Sequence, residues 1–414
     1  MKEQELITGI DLGSSRIAVT IGSYQDGGVD IKGFGMKESA GMRGGVIVDL
    51  KSAAECIGEA VHEAEKSAGA EVESAFIGIS GQHIHSSNGE AKLDMPPGQD
   101  EVEVKHLKEV ISKAKDKPPS LGMETLHVLP SEFMLDGVGG IKDPLGLFCK
   151  ELKAKVTSIT ALTTAVQNTV RCVNLAGLDV EQIILNMIAT GEVILYPEEK
   201  DLGVCLVDIG SHLTDIAVYK GEYPVYVSAL PYGGENLSRD IATHFHISLK
   251  EAEEIKKSRG VCLRYLLEDN ADIYKGKALK TSGANSKKMS SLELAELLEE
   301  KCKMLISNIE KRMEPFLPHL GSGIVIAGGT SCLVGIKEVL EEKTALPVRI
   351  GKMKESVISS MPEDKKDNFA YATSVGLVVY GRNLRDRENN FPWEKESLYD
   401  RTVGKIVNLI KNFF

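Results

Sequence analysis

Several features that carry chemistry in other proteins are missing from this sequence. It has seven cysteines, but no CxxC pair and no histidine at metal-ligand spacing, which argues against a structural zinc site and a disulfide-stapled fold. No apolar run reaches the roughly 18 residues needed to span a bilayer, and the N-terminal segment lacks a signal-peptide core. The net charge of −11 argues against nucleic acid as the main partner, because phosphate backbones require a positive surface. We therefore expect a cytoplasmic protein whose membrane contact, if it has one, is peripheral.

The chain is too long for one ordinary core, and part of its pattern occurs twice. With 414 residues and aromatic residues at only 5%, it is expected to form at least two domains with cores of Ile, Leu, Val and Ala. An apolar strand, an Asp-x-Gly-Ser turn and a strand with Ile-Ala-Val follow one another at 5–22 and again from 203 onward. A repeat on this scale indicates two homologous halves rather than a solenoid, whose repeats are short.

Other stretches differ in character from these two copies. Residues from about 83 to 163 contain proline-rich turns, a charged helical piece and alternating strands, which predicts a compact α+β insertion in the first half. Residues 237–316 are mostly helical and charged. Residues 382–398 are polar, highly charged and interrupted by a proline, a composition typical of linkers.

Three glycine-containing turns have the composition of a nucleotide site: Asp11 to Arg16, Asp208 to Ser211, and Gly328-Gly329-Thr330. Glycine and small hydroxyl residues let backbone N–H groups approach phosphate closely, so one hairpin from each half can grip a polyphosphate from opposite sides. An Asp before each of the first two turns can hold a divalent ion and its waters, since Mg²⁺ needs few direct protein ligands. Each turn alone is weak evidence, because glycine occurs at any tight hairpin. Their order and distances together make the prediction specific.

The set of turns resembles the phosphate-1, phosphate-2 and adenosine motifs of the actin, Hsp70 and sugar-kinase superfamily, and Thr373 to Leu377 resembles its second connecting segment. Within that superfamily, Thr125 to Phe133, Gly140 to Gly146 and Leu152 to Val156 resemble the subdomain 1C that is specific to the FtsA family. The chain is thereby identified as a member of this family of bacterial cell-division proteins. The resemblance implies an α/β, actin-like ATPase fold with two pseudo-symmetric halves, an FtsA-type 1C insertion and a helical 2B subdomain.

The resemblance also implies subdomain boundaries and a set of site residues. Subdomain 1A covers 1–82, 165–200 and 364–385, 1C (SHS2-like) 83–164, 2A 201–236 and 318–363, and 2B 237–317, followed by a linker at 386–398 and an amphipathic helix at 399–414. Asp11 and Asp208 would organise Mg²⁺ and water, and no residue is assigned as catalytic. The residues that would bind ATP are Asp11, Gly13, Ser14, Ser15, Arg16, Asp208, Gly210, Ser211, Gly234, Glu253, Lys256, Gly328, Gly329 and Thr330. For Lys256, a solvated place on a helix surface is the plainer alternative.

The second phosphate turn departs from the family pattern. The family usually has more glycine and a Thr where this chain reads Ser211-His212-Leu213, and these side chains keep the backbone further from the γ-phosphate. His212 is either a phosphate contact or a solvated turn residue, and no other general base has an obvious motif. We expect ATP binding with weak or absent ATPase activity, so that the nucleotide sets the conformation of a polymer.

Residues 401–414 have the pattern of an amphipathic helix. Apolar residues recur on one helical face, the opposite face is basic although the protein is acidic, and two Phe end the chain. A terminal helix docked on the protein's own core, or in a partner's groove, is the alternative, but the preceding linker and the basic face favour an in-plane interfacial helix. The predicted membrane-binding residues are Val403, Lys405, Ile406, Val407, Ile410, Lys411, Phe413 and Phe414. One copy should bind an anionic membrane surface reversibly, and arrayed copies more firmly through avidity.

The expected function is that of an adaptor in cell division. It would form protofilaments, bind the C-terminal peptide of the tubulin-like FtsZ through 2B, recruit later division proteins through 1C, and tether the Z-ring to the cytoplasmic face of the inner membrane at the septum. The stretch from Lys287 to Leu298 is the region to test for FtsZ contact, with a solvated helix as its alternative. Two other functions share the superfamily. A PilM-like pilus adaptor would be expected to lack the linker and amphipathic end, and a sugar or acetate kinase would need a substrate loop and catalytic carboxylate for which no convincing candidate is present.

Overall fold

A computed structural model describes residues 6–25, 28–115, 119–269, 290–358, 361–366 and 368–390. The strands in these ranges are β1 (Leu6–Leu12), β2 (Arg16–Gln25), β3 (Gly28–Glu38), β4 (Met42–Arg43), β5 (Val46–Ile47), β6 (Ser74–Ile79), β7 (His85–Asp94), β8 (Met123–Leu135), β9 (Val138–Ile141), β10 (Glu151–Leu162), β11 (Asp179–Leu185), β12 (Val204–Ile209), β13 (Thr214–Tyr219), β14 (Pro224–Leu230), β15 (Ile324–Ala327) and β16 (Val348–Ile350). The helices are α1 (Leu50–Ala68), α2 (Val104–Ala114), α3 (Thr163–Leu175), α4 (Asn186–Ile194), α5 (Pro197–Leu202), α6 (Gly234–Phe245), α7 (Leu249–Arg259), α8 (Leu266–Asp269), α9 (Ser291–Met313), α10 (Ile336–Thr344), α11 (Glu355–Ile358), α12 (Glu363–Lys366) and α13 (Ala372–Asn390).

Two five-stranded sheets share one strand order. The first runs β11-β6-β1-β2-β3 and the second β16-β15-β12-β13-β14. In each sheet an antiparallel three-stranded meander is joined to two parallel strands. Even the register repeats, since Asp11 lies opposite Ala18 and Asp208 opposite Asp215. The predicted α/β fold with two pseudo-symmetric halves is confirmed.

The two halves share part of one core. Successive side chains of a strand point to opposite faces, so along β12 Val204 and Leu206 join the core of the first half, whereas Cys205 packs in a second core beneath α6 and α9. Near-continuous apolar sequence in β12 is therefore required, because the strand is covered on both faces. The hydroxyl of Tyr219 donates to the carbonyl of Met187 in α4 at 2.6 Å and ties the second sheet to the first half.

The insertion between β6 and α3 is a four-stranded sheet, β7-β10-β8-β9, with α2 on one face. Its far end has a separate small core that includes Val110, Phe133 and Leu152. Its near end is different, because Leu126 on β8 and Ile159 on β10 belong to the main core of the first half. The insertion is thus an independent unit at one end and part of the first half at the other.

Helix α13 packs in the core of the first half, against β1 and α4. At Gly376 a Cβ atom would lie 2.0 Å from the carbonyl oxygen of Ala189, so only glycine allows α13 to cross α4 this closely. Near its end, Arg385 forms an ion pair with Glu181 at 3.0 Å and donates to the carbonyl of Leu6 at 3.3 Å. The helix continues to Asn390, the last residue that the structure describes, so residues 386–390 of the predicted linker range 386–398 are helical.

The predicted amphipathic helix and its membrane-binding residues lie outside the described ranges. Within those ranges, no helix combines the length and apolar character that crossing a bilayer requires.

Candidate functional site

The first two predicted phosphate turns meet in one cleft. Asp11 lies near the end of β1 and Asp208 near the end of β12, the equivalent positions of the two sheets. They are close enough that the charge of Asp208 contributes, after burial, to raising the pKa of Asp11 to about 7. The duplicated topology therefore brings two Asp residues together that are far apart in the sequence.

A third carboxylate, Asp215, completes this group and was missed from the sequence. It stands on β13 directly opposite Asp208. Burial, followed by the charges of Asp208 and Asp11, raises the pKa of Asp215 to about 8, and burial raises that of Asp208 to about 6. The available signal was a charged residue at the start of an otherwise apolar strand. The three carboxylates repel one another when all are ionised. A bound cation would neutralise this negative charge.

The carboxylates of the cleft suit a Mg²⁺ ion that keeps most of its waters, rather than a metal ion held by protein side chains alone. Among the described residues, no group of three or more His, Cys, Asp or Glu side chains has the geometry to hold a metal by itself. Mg²⁺ commonly keeps several waters and takes one or two carboxylates plus phosphate oxygens. Asp11 and Asp208 fit that pattern of binding.

Two polar side chains support the carboxylates, and neither was singled out from the sequence. Asn186, the first residue of α4, donates from Nδ2 to Oδ1 of Asp11 at 3.0 Å, and the Ser80 hydroxyl donates to Asp215. Asn186 fits because a Cβ at Gly78 would lie 2.3 Å from its Oδ1. Its signal was a single amide inside the apolar run from 183 to 189, which is easily read as continuous core.

The first turn is tight and is braced from one side. A Cβ at Gly13 would lie 2.5 Å from the carbonyl oxygen of Arg16, so the hairpin requires glycine there. Ser14 accepts from the Gly45 N–H at 3.3 Å, while Ser15 is exposed. Arg16 begins β2, and its charge acts to lower the pKa of Asp11 against the larger effect of burial.

The second turn is held by the N-terminus of α6. The N–H of Gly234 donates to the carbonyl of Gly210 at 2.8 Å, and the N–H of Glu235 to that of Ser211 at 2.9 Å. His212 pairs through Nε2 with Glu235 at 2.9 Å, so it is not simply solvated. These contacts fix the turn that departs from the family pattern.

The third turn closes against the second. Gly328 has φ 80°, and a Cβ there would lie 2.2 Å from Oδ1 of Asp208, so glycine is required for both reasons. Thr330 donates from Oγ1 to the carbonyl of Gly210 at 3.2 Å. A Cβ at Gly329 would meet no atom within 4 Å. Because glycine has no side chain, the backbone surface beside the cleft is uncovered at this position.

Lys256 is buried rather than solvated on a helix surface. Its Nζ donates to the carbonyl of Gly234 and to Oε2 of Glu253, both at 2.7 Å. Burial works to raise the pKa of Glu253, but its hydrogen bonds to Lys256 and Ser238 prevail and lower it to about 2. The ion pair therefore braces the first turn of α6, which in turn carries the second phosphate turn.

Comparisons with known proteins agree with this geometry. The family model described as Cell division protein FtsA matches residues 205–376, and the one described as SHS2 domain inserted in FtsA matches residues 81–160. Cell division protein FtsA of Pseudomonas aeruginosa is 33% identical over 380 residues, which cover 91% of this chain and 89% of that protein. The chain belongs to the FtsA family. The FtsA of Escherichia coli K12 is 30% identical over 422 residues, covering 99% of this chain and 98% of that protein.

Solved structures support an actin-like fold for this FtsA-family chain. The PilM–PilN type IV pilus biogenesis complex matches with a TM-score of 0.61 and 18% identity, covering 91% of this chain and 98% of that one. MreB5 of Spiroplasma citri bound to ADP matches with a TM-score of 0.56 and 13% identity, covering 93% and 99%. These likenesses show the fold alone. Membership of the FtsA family decides against the pilus adaptor and kinase alternatives, and the insertion is confirmed as an SHS2 domain.

Proposed function

We propose that this FtsA-family protein binds ATP with Mg²⁺ in the cleft between its halves. The observation that carries the proposal is the meeting of two equivalent Asp–Gly turns, one from each sheet, around carboxylates whose pKa values burial and mutual repulsion have raised. Such a site gains from a cation and from the phosphates that accompany it. The proposed adenosine side is the surface formed by Gly234, Gly328, Gly329 and Thr330, with Glu253 and Lys256 behind it.

The residues present favour holding a nucleotide over rapid hydrolysis. When bound, Mg²⁺ would neutralise the carboxylates and polarise phosphate oxygens. His212 contacts Glu235 through Nε2 at 2.9 Å, and this contact orients the ring within the second phosphate turn. Burial and the charges of Asp208 and Asp11 raise the pKa of Asp215 to about 8, so it is mostly protonated in the nucleotide-free protein. A bound cation would favour its ionised form, which could then accept a proton from water and support slow ATPase activity. We propose that the nucleotide chiefly sets the conformation of a polymer.

The nucleotide proposal is tested by titration calorimetry with Mg-ATP. Asp208→Ala should weaken binding at least about tenfold, the effect of losing a charge-assisted contact. Asp94→Ala is the matched control, because Asp94 is an exposed carboxylate on β7 with an ion pair to Lys92. Equal affinity of the wild type and the Asp208 variant would refute this assignment of the second phosphate turn.

Membrane tethering is proposed from the sequence of residues 401–414. Its support is the apolar stripe, the basic opposite face and the acidic remainder of the protein. Removal of 399–414 should abolish sedimentation with vesicles that contain anionic lipid. Ile410→Glu on the apolar stripe should do the same, whereas Asn408→Glu introduces the same charge on the polar face and should weaken binding much less. Full binding by the truncated chain would rule out this anchor.

We also propose that subdomain 2B binds the C-terminal peptide of FtsZ. Family membership and the exposed face of α9 support this, since Leu292 is 53% exposed whereas Leu294 and Leu298 are buried. Lys287 and Lys288 lie outside the described residues. Fluorescence anisotropy with a labelled FtsZ peptide should show weaker binding for Leu292→Asp. Met304→Asp, 52% exposed on the same helix, is the control, and equal losses in both variants would count against the proposed region.

The SHS2 insertion is proposed as the contact for later division proteins. A groove with a cavity of about 1620 Å³ separates it from the second half, and Glu132, Lys155 and Lys220 are among its lining residues. The edge strand β9 and the loop before β10 of the insertion expose apolar side chains, with Val138 at 66% and Phe148 at 72%. Exposed apolar surface beside a polar groove is typical of protein-binding sites.

A further inference from the structure

One buried histidine connects the SHS2 insertion to the phosphate cleft. His127 lies on β8 of the insertion and is 2% exposed. Its Nε2 accepts a hydrogen bond from the backbone N–H of Leu185 at 3.1 Å. Leu185 ends β11, the edge strand of the first sheet, and is followed directly by Asn186. The insertion therefore holds the last residue of the strand that leads into the site.

The next link runs from Asn186 to the cleft. Its Nδ2 donates to Asp11 at 3.0 Å. The sheet register places Asp11 beside Gly78, and Gly78 beside Ile184. Since Asn186 follows Ile184 by two residues, its reach to Asp11 depends on where the end of β11 is held.

His127 is suited to this role by its charge state. Burial lowers the pKa of His127 to about 3, so the ring stays neutral at physiological pH and Nε2 retains its lone pair for the Leu185 N–H. A side chain without an acceptor at position 127 would leave the buried Leu185 N–H without a hydrogen-bond partner. An unsatisfied buried donor destabilises the folded arrangement.

We propose that His127 is a positioning residue that holds Leu185, and through it Asn186, in place over Asp11, so that the insertion regulates the nucleotide site. The inference rests on the proposed function, because it concerns the same cleft. By linkage, a protein that shifts β8 when it binds the insertion changes nucleotide affinity, and the bound nucleotide changes affinity for that protein by the same factor.

The test compares Mg-ATP affinity of full-length variants by calorimetry. His127→Leu should weaken binding roughly five- to tenfold, and Asn186→Ala by a similar factor, since each removes one hydrogen bond of the path that holds Asn186 over Asp11. The double variant should be no weaker than the worse single variant, because both changes break one path. His127→Gln should restore most of the affinity, since its amide oxygen can accept where Nε2 does.

His106→Leu is the matched control. His106 is also 2% exposed and lies in the insertion, and its Nδ1 accepts from the Glu103 N–H at 3.1 Å, but this hydrogen bond stays within the first turn of α2. It should lower stability without changing Mg-ATP affinity. Additive effects of the His127 and Asn186 variants, equal losses in the His106 variant, or no rescue by Gln would overturn the inference and leave His127 a structural residue.

Amide hydrogen exchange separates this inference from the proposed function. In the nucleotide-free protein, His127→Leu should speed exchange in a peptide covering residues 183–188, and His127→Gln should restore protection. If the wild type fails to bind Mg-ATP, the proposed function is wrong while the exchange experiment still decides on the link. Unchanged exchange in His127→Leu would refute the link itself.

Discussion

Asp215→Asn should make the nucleotide-free protein more stable at alkaline pH. The pKa of Asp215 is raised from 3.8 to about 8, so the folded state binds a proton that the unfolded state has already released. Stability is therefore lost as the pH rises from about 4 through about 8, and the loss is complete above that range. Replacing the carboxyl by an amide removes this group's share of the loss.

The size of the effect follows from the raised pKa. At about 1.4 kcal/mol for each pKa unit, an increase from 3.8 to about 8 sets an upper limit of about 6 kcal/mol above pH 8. Part of this free energy comes from repulsion between Asp215 and the carboxylates of Asp208 and Asp11. In the Asp215→Asn variant those two carboxylates no longer face a third charge. We expect a gain of about 1–3 kcal/mol at pH 8.5 and less than about 1 kcal/mol at pH 5.

Urea unfolding in EDTA at both pH values measures this difference, with Asp94→Asn as the control for an exposed carboxylate. The same Asp215 variant should bind Mg-ATP more weakly. The Asp215 carboxylate destabilises the nucleotide-free protein but attracts a bound cation, and the amide of Asn does not attract it in this way. A gain that is equal at pH 5 and pH 8.5, or a loss at both, would show that Asp215 is not held in an environment that resists its charge.

Further predictions concern glycines at close contacts. Gly328→Ala should weaken Mg-ATP binding more than about tenfold and destabilise the protein by about 1–3 kcal/mol, because φ is 80° and the new Cβ overlaps Asp208. Calorimetry measures the affinity and urea unfolding the stability. Unchanged affinity would refute the packing of this turn. Gly376→Ala should cost about 3 kcal/mol or more in urea unfolding, because its Cβ overlaps the Ala189 carbonyl. Gly58→Ala in α1, whose Cβ meets nothing closer than 4.0 Å, should instead stabilise by about 0.5–1 kcal/mol, and equal effects at the two glycines would contradict the close crossing of α4 and α13.

The sequence allowed prediction of the features that recur locally. The strand–turn–strand pattern around Asp11 and around Asp208 lies in consecutive residues. Its repetition predicts two similar sheets, although it does not predict the order of their strands. The insertion was visible because its composition changes from that of its surroundings. Strand alternation and turn chemistry act over short distances, so a single sequence displays them.

The contacts that complete the site are made between distant residues. Asp215, Asn186 and His127 are single polar residues within apolar runs, and each acquires its role only when another element is packed against it. Lys256 illustrates the same limit, because a lysine on a charged helix is ordinarily solvated and only the tertiary fold shows its Nζ bound to Gly234 and Glu253. The terminal segment remains a prediction from sequence.

The contacts of Arg385 determine where mechanical force would enter the protein. If residues beyond Asn390 hold the chain to a membrane, tension on them is transmitted along α13 to the clamp that Arg385 makes with Glu181 and with the carbonyl of Leu6. Leu6 begins β1, and Asp11 lies near the other end of the same strand. A pull on the tether would thus load the strand that carries a carboxylate of the phosphate cleft, which makes nucleotide affinity under tension a measurable property of this fold.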